Sequence, residues 1–248
     1  MFGVLEHRTV RLETMTLEHT THSGSVIRSI DDLRGPAGKL EAVLNGGRAD
    51  ARFAALVCHP HPLGGGTMHN KVVYHAMKVF AGLGLPVLRF NFRGVGLSEG
   101  DFDQGAGELD DARAALDWLD AKLHLPILLA GFSFGSFVSM RAGCGDPRVP
   151  GFIGLGVPYR AEGRSYTYEF LDGCTKPKLF ISGTEDQFGP RKFVEPMLQE
   201  TADPKRIVWI DGAEHFFQGT PSSPGPKLEQ MQAAMRQWLE DTFGLVAG

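Results

Sequence analysis

The sequence feature that most constrains the fold is a set of six short apolar runs, separated by longer stretches with helical periodicity. Each run is apolar throughout rather than alternating, which is typical of parallel strands covered on both faces. Strands that alternate with helices predict a parallel sheet joined by crossover helices, and therefore an α/β fold. The six predicted strands are 53–58, 87–92, 127–131, 152–156, 178–182 and 206–210.

The stretches between these runs carry apolar residues at steps of three and four, a spacing that puts them on one face of a helix. The clearest case is the series Leu109, Ala112, Leu116, Leu119 and Leu123. Two further segments, 10–17 and 39–44, would suit antiparallel strands at an edge of the sheet. The predicted helices are 70–82, 108–123, 134–143, 191–201 and a last one that begins at Pro226.

The length of the chain fits one globular domain. Its 248 residues are enough to bury a large core, and no repeat or low-complexity linker divides them. Residues 1–30 have weak periodicity, so we expect an N-terminal extension with some mobility. We expect residues 31–248 to form a single α/β domain.

The charge and the cysteine content indicate which classes of partner and which cellular compartment to expect. Asp and Glu number 29 against 25 Lys and Arg, so no basic surplus attracts nucleic acid or an anionic membrane. Three cysteines, Cys58, Cys144 and Cys174, cannot form a disulfide framework, and the first residues do not resemble a signal peptide. No apolar run approaches the roughly 18 residues of a membrane span. We expect a cytoplasmic protein whose partner is a small molecule, with its oligomeric state left open.

The segment Gly131-Phe132-Ser133-Phe134-Gly135 follows a predicted strand and precedes a predicted helix. A G-x-S-x-G motif in this setting is typical of a sharp turn that projects a serine hydroxyl towards a base. The glycines are needed because strand and helix nearly touch, and the helix N-terminus can stabilise a developing oxyanion. We predict that Ser133 is a catalytic nucleophile rather than a serine in an ordinary turn.

A base and an acid follow at the ends of two later strands. His215 lies in the loop after the sixth predicted strand, and Asp186 lies in the loop after the fifth. Parallel sheets bind ligands at the carboxyl ends of their strands, so these loops should meet near Ser133. There Asp186 would fix the tautomer of the His215 imidazole and stabilise the imidazolium. Glu185 is the alternative acid, and the competing interpretation of Asp186 is a carboxylate that caps a turn.

A glycine-rich stretch, His-Pro-His-Pro-Leu-Gly-Gly-Gly, follows the first predicted strand and precedes a helix. The oxyanion of acyl transfer needs two N–H donors, one from the residue after the nucleophile and one from a loop of this kind. The first donor is then Phe134. Because Pro60 and Pro62 have no N–H, the second is His61 or Leu63, and we favour His61.

The same stretch allows a different interpretation, since His59, His61 and His69 could bind a metal ion, with zinc the expected ion. No Asp, Glu or Cys lies near them in the sequence with supporting spacing. The setting between strand and helix also favours an oxyanion loop. We therefore predict no metal and no other cofactor.

Taken together, these motifs resemble the α/β-hydrolase superfamily, and most closely the small bacterial serine hydrolases that carry a His-Pro-His-Pro loop. That loop stands where the wider superfamily has His-Gly-x-x. The resemblance extends from about Gly35 to the C-terminus and matches Ser133, Asp186 and His215 to the triad positions. It implies an α/β-hydrolase fold, with an eight-stranded, mostly parallel sheet flanked by helices on both faces. The matching segments are 35–42, 59–73, 89–100, 131–135, 183–186 and 212–217.

About twenty residues separate the fourth and fifth predicted strands, which leaves room for one short helix and predicts a minimal cap. Aromatic residues of this segment could wall a substrate pocket, or they could equally pack a helix onto the sheet. The resemblance implies that the 89–100 segment, with Arg93 and Ser98, supports the loops rather than the chemistry. The candidate pocket residues are Leu63, Tyr159, Tyr166 and Phe216.

We therefore expect a carboxylesterase that acts on small or short-chain esters through an acyl-enzyme. A thioesterase or an aminopeptidase-like acyl hydrolase would use the same residues. Two alternatives come from other classes. One is a metal-dependent hydrolase built on the histidine cluster, and the other is a catalytically silent binding protein with the same fold.

Overall fold

A computed structural model describes residues 19–20, 26–161 and 163–247 of the chain. A sheet of eight main strands runs through its centre. All six strands predicted from apolar runs are confirmed, each to within two residues at its ends. The main strands are β1 (Val26–Ile30), β2 (Ala42–Asn45), β3 (Ala54–Cys58), β4 (Val87–Phe90), β5 (Ile127–Phe132), β6 (Phe152–Leu155), β7 (Lys178–Gly183) and β8 (Lys205–Ile210).

The strands are ordered β1-β2-β4-β3-β5-β6-β7-β8, and a two-residue strand, His19–Thr20, extends the edge beside β1. Strand β2 runs antiparallel to both of its neighbours, whereas every other pair of adjacent main strands is parallel. The predicted eight-stranded, mostly parallel sheet is thus confirmed. The carboxyl ends of β3, β5, β6, β7 and β8 meet at one edge, where parallel sheets commonly bind ligands.

Five α-helices cover both faces of the sheet, with α1 and α5 on one face and α2, α3 and α4 on the other. In β7, Leu179 and Ile181 pack towards α1 and α5, while Phe180 packs towards the opposite layer. Burial on both faces is why these strands are apolar throughout. No helix of the described residues is long and apolar enough to cross a bilayer. The helices are α1 (Lys71–Gly82), α2 (Ala106–Leu123), α3 (Phe134–Gly143), α4 (Arg191–Glu200) and α5 (Leu228–Phe243).

The antiparallel edge differs from the prediction. Residues 42–44 of the predicted strand 39–44 lie in the antiparallel strand β2, but its first half is wrong, because Gly38–Lys39 pairs with Arg34–Gly35 in a small hairpin and β2 starts only at Ala42. Between them Leu40 is completely buried, so the chain turns into the core there. The predicted strand 10–17 and most of the predicted extension 1–30 lie outside the described residues, while β1 pairs with β2 in the sheet.

The segment between β6 and β7 forms only a small cap, as predicted. It contains a hairpin in which Arg160–Ala161 pairs with Arg164–Ser165, followed by a short 3₁₀ turn at Glu169–Leu171. The carbonyl of Phe188, in the loop after β7, accepts hydrogen bonds from the N–H groups of Tyr159 at 2.9 Å and Arg160 at 3.1 Å. These two bonds fix the hairpin of the cap to the loop after β7.

Candidate active site

Ser133 lies in the sharp turn between β5 and α3. Its backbone has φ 54° and ψ −122°, a conformation that is costly for any residue with a side chain. The Ser133 N–H donates to the Leu155 carbonyl of β6 at 2.8 Å, which ties the turn to the neighbouring strand. Helix α3 begins at the next residue, Phe134. The turn therefore holds Ser133 at the carboxyl edge of the sheet.

The glycines on either side of this turn are required by contacts between backbones. A Cβ at Gly131 would lie 2.2 Å from the Gly135 carbonyl oxygen. A Cβ at Gly135 would lie 2.4 Å from the His59 carbonyl oxygen and 2.5 Å from that of Cys58. Real Cβ atoms do not approach backbone so closely. The turn at residues 131–135, called the elbow below, and the end of β3 can therefore pack in this way only with glycine at both positions.

Asp186 and His215 form a buried pair at the ends of β7 and β8. His215 Nδ1 lies 2.9 Å from Asp186 Oδ1 and 2.8 Å from Oδ2. The carboxylate also accepts the N–H groups of Phe188 and Gly189, each at 2.9 Å, which fixes its orientation. A carboxylate can only accept, so Nδ1 carries the proton and Nε2 can take up another. The alternative acid, Glu185, is exposed to solvent.

Three phenylalanine rings surround the imidazole of His215. The ring centroids of Phe132, Phe188 and Phe216 lie 4.9, 4.8 and 5.3 Å from it. This apolar shell keeps water from the Asp186–His215 hydrogen bond and restricts rotation of the imidazole. The sequence analysis did not identify Phe132 and Phe188 as part of the site. The available signal was their position, since Phe132 precedes Ser133 and Phe188 follows Asp186 by two residues.

Ser133 and His215 line the same open pocket. The arrangement brings the Ser133 hydroxyl and the His215 imidazole to one cavity, and the imidazole is hydrogen-bonded to the Asp186 carboxylate. These are the groups needed to remove a proton from a serine nucleophile. The pocket is lined by Pro60, His61, Gly64, Gly65, Gly66, Asn70, Ser133, Ala161, Phe188, His215 and Phe216.

Of the four predicted pocket residues, Phe216 lines the pocket and the other three do not. Leu63 is 72% exposed on the outside of its turn. Tyr159 stacks on Phe193 of α4 at 4.8 Å. Tyr166 is buried against the ring of Phe137 at 5.2 Å, so this part of the cap packs onto α3, and the pocket assignment of these three residues is wrong.

The predicted oxyanion donors lie on two sides of the elbow. Phe134 is the first residue of α3, where N–H groups have no partner within the helix. His61 lines the pocket, and its carbonyl accepts the N–H groups of Gly64 at 3.1 Å and Gly66 at 3.0 Å, which fixes the loop. The N–H of Leu63 donates to His61 Nδ1 at 3.2 Å. The Leu63 N–H is therefore engaged within the loop itself.

His59 is completely buried and serves the loop rather than a ligand. Its Nδ1 lies 2.7 Å from the Pro60 carbonyl oxygen, and its Nε2 accepts the Phe92 N–H at 3.0 Å. This last bond engages the N–H of Phe92, which lies two residues beyond the end of β4 and was predicted to belong to it. Burial lowers the pKa of His59 to about 4. With both ring nitrogens engaged, His59 is not available to a metal, and no three potential ligands cluster among the described residues.

The segment after β4 connects the loops to α2. Arg93 forms a buried, bidentate ion pair with Asp111, at 2.8 Å from Nη2 to Oδ1 and 3.0 Å from Nε to Oδ2. Ser98 Oγ donates to the Asn91 carbonyl at 2.7 Å and accepts the Glu41 N–H at 2.9 Å. Neither Arg93 nor Ser98 lines the pocket. Their contacts are those of residues that support the loops.

Known proteins share both the sequence and the fold. Residues 54–242 match the alpha/beta hydrolase domain family. An uncharacterized protein of Rickettsia prowazekii is 37% identical over 215 residues, which cover 83% of this chain and 86% of that protein. The structure of an alpha-beta serine hydrolase homologue from Coxiella burnetii is 33% identical, with a TM-score of 0.74 over 91% of this chain and 98% of that one. A serine hydrolase without lid from Xanthomonas campestris is 31% identical, with a TM-score of 0.72 over 90% and 97%.

Proposed function

Because the chain belongs to the alpha/beta hydrolase family, we propose that it is a serine esterase that cleaves small or short-chain carboxylic esters through an acyl-enzyme. One observation carries this proposal. His215 lines the same pocket as Ser133, which is held in a strained turn, and the Nδ1 atom of His215 lies 2.8 Å from Oδ2 of the buried Asp186. The small cap leaves this pocket accessible, which suits compact substrates better than long acyl chains.

In the first half of the reaction the Ser133 hydroxyl attacks the ester carbonyl carbon. His215 Nε2 takes the hydroxyl proton, and the negative charge of Asp186 stabilises the imidazolium. The N–H groups of Phe134 and His61 donate to the oxyanion of the tetrahedral intermediate. The intermediate then expels the alcohol, which leaves with the proton from His215, and the acyl group remains on Ser133.

Water completes the cycle. His215 takes a proton from a water molecule, the hydroxide attacks the acyl carbonyl, and the same two N–H donors stabilise the second oxyanion. When the intermediate collapses, Ser133 recovers its proton from His215 and the carboxylic acid leaves. The balance is one ester and one water consumed, with one acid and one alcohol released.

Hydrolysis of p-nitrophenyl acetate and butyrate by the wild type and by Ser133→Ala tests the proposal. We expect the substitution to lower kcat by about 10⁴-fold or more, as for other serine nucleophiles. A matched control is Ser139→Ala, which removes a buried hydroxyl from α3, the helix that follows Ser133, where it donates to the Ser136 carbonyl. That variant should stay within about threefold of the wild type.

A fluorophosphonate probe gives an independent measurement. It should label the wild type and the Ser139→Ala variant, because it reacts with an activated serine, and should not label Ser133→Ala. Full activity or full labelling of Ser133→Ala would show that another residue is the nucleophile. Absence of both turnover and labelling in the wild type would instead indicate a silent site.

A further inference from the structure

The position of His215 determines where the alcohol half of an ester must lie. The leaving oxygen receives its proton from Nε2, so it has to come within hydrogen-bond distance of that atom. The first carbons of the alcohol then occupy the part of the pocket next to the imidazole. Side chains that flank His215 and also line the pocket are therefore the ones that contact the alcohol.

Those side chains are apolar and mostly aromatic. Phe188 and Phe216 both line the pocket and both pack against the imidazole. Ala161, in the hairpin of the cap, lines the pocket together with them. No Asp, Glu, Lys or Arg is found among the described residues that line the pocket, so a charged alcohol would find no partner there.

The wall formed by the loop after β3 is different. It consists of Pro60, His61 and the three glycines Gly64, Gly65 and Gly66, together with Asn70 at the start of α1. A Cβ at Gly65 would meet nothing within 4 Å, so this side borders open space. Its side chains are one proline ring, one imidazole and one amide, which offer less apolar surface for a bulky acyl group than two phenylalanine rings offer for the alcohol.

We infer that Phe188 and Phe216 form the binding surface for the alcohol, and that the enzyme selects esters of aromatic alcohols with short acyl groups over esters of aromatic acids with short alcohols. The inference rests on the proposed esterase function and adds the substrate class. Phe216 is the better residue to vary, since it is 38% exposed at the mouth of the pocket and its main chain is fixed by Glu214. The main chain of Phe188, in contrast, also binds the Asp186 carboxylate and the hairpin of the cap, so a substitution there is harder to interpret.

Two isomeric esters provide the test, because they have the same atoms and differ only in the side of the ester bond that carries the ring. They are benzyl acetate, with the ring on the alcohol, and methyl phenylacetate, with the ring on the acid. Their leaving alcohols are similarly basic, so differences in chemical reactivity are small. With purified full-length protein, we expect kcat/KM to favour benzyl acetate by about tenfold, the size of one well-formed aromatic contact.

The variants compare two exposed phenylalanines. Phe216→Ala should lower the benzyl acetate to methyl phenylacetate ratio to within about twofold of unity, because the ring contact is lost. Phe193→Ala is the matched control, since Phe193 is 44% exposed but lies outside the pocket, and it should keep the wild-type ratio. The ratio within each enzyme is the readout, so a general change in activity cancels.

The outcomes separate this inference from the proposed function. Hydrolysis of both esters at equal rates by the wild type, or an unchanged ratio in Phe216→Ala, would overturn the alcohol site and leave the esterase in place. The same fall of the ratio in Phe193→Ala would also overturn it. If the wild type hydrolyses neither these esters nor the p-nitrophenyl esters, the proposed function itself fails.

Discussion

At Gly135 three backbone segments come so close that the identity of one residue decides how the nucleophile is held. The first turn of α3 rests against the carbonyl oxygens of Cys58 and His59, at the point where β3 ends and the glycine-rich loop begins. The Ser133 turn and the candidate oxyanion loop are therefore in direct contact. A displacement of either would alter the distance between nucleophile and N–H donors.

This contact predicts the effect of Gly135→Ala. The new Cβ would lie 2.4 Å from a backbone oxygen, so α3 or the loop has to shift. We expect a loss of about 2 kcal/mol or more in the free energy of unfolding and at least about a hundredfold loss of kcat/KM, by urea denaturation and ester assays. At Gly82, in the last turn of α1, a Cβ would meet nothing within 4 Å.

The control Gly82→Ala should therefore keep full activity and leave stability unchanged or raise it by up to about 1 kcal/mol. A Gly135→Ala enzyme with normal stability and normal kcat/KM would contradict the tight packing of the elbow. Equal losses in both variants would show that the effect is not specific to the elbow.

Prediction from sequence works at the residue scale where the position in the chain determines the position in space. Ser133, Asp186 and His215 each follow a strand of a parallel sheet, so the topology brings them to one edge, and their catalytic roles stay a prediction. The direction of a side chain within the cap is not determined in this way. Tyr166 lies in the cap segment where pocket residues were expected, yet its ring packs on Phe137 of α3 and does not line the pocket.

At the scale of elements, α2 is joined to the segment after β4 by the Arg93–Asp111 pair. The two side chains are only 11% and 0% exposed, so removal of the arginine would leave a buried carboxylate without its partner. We expect Arg93→Met to lower the free energy of unfolding by about 3–5 kcal/mol in urea denaturation. The control is Arg113→Met on the same helix.

Arg113 pairs with Asp110 at 3.0 Å, but both side chains are about half exposed. Exposed pairs of this kind contribute little, so the Arg113→Met substitution should cost less than about 1 kcal/mol. Similar stabilities for the two variants would show that burial does not govern the Arg93 pair.

The elements themselves differ in how far the sequence predicts them. Parallel strands are buried on both faces and give continuous apolar runs, which is why six strands could be located from these runs alone. None of the five residues of β1 is fully buried, so that strand leaves only a weak apolar pattern. Phe92, predicted as the end of β4, lies beyond it and donates to the His59 ring, a contact between distant segments that no local pattern encodes.

For the molecule as a whole, burial of His59 makes stability depend on pH. The folded state has a pKa of about 4 at this residue against an ordinary value of 6.5, so between these values the unfolded chain binds a proton that the folded chain does not. Stability therefore falls as the pH falls through this window. From pH 7.5 to pH 5, His59 alone should account for a loss of about 2 kcal/mol.

The measurement is the difference in unfolding free energy between the wild type and His59→Gln, whose side chain can still accept the Phe92 N–H but does not titrate. The variant should be less stable at pH 7.5, and the gap should shrink by about 2 kcal/mol at pH 5. His69→Gln, at an exposed histidine, should follow the wild-type profile. A constant gap for His59→Gln would show that His59 does not cause the acid sensitivity.

The hydrogen bond from Ser133 N–H to Leu155 has a consequence for amide hydrogen exchange. This bond belongs to the pairing of two central strands, so the Ser133 amide should exchange with deuterium only when the sheet opens, at a rate set by global unfolding. The amide of Phe134, one residue later, is in the first turn of a helix and should exchange far sooner. Two successive peptide groups would thus differ sharply in exchange rate, the first fixed in the sheet and the second at the N-terminus of α3, where the proposed mechanism places the oxyanion.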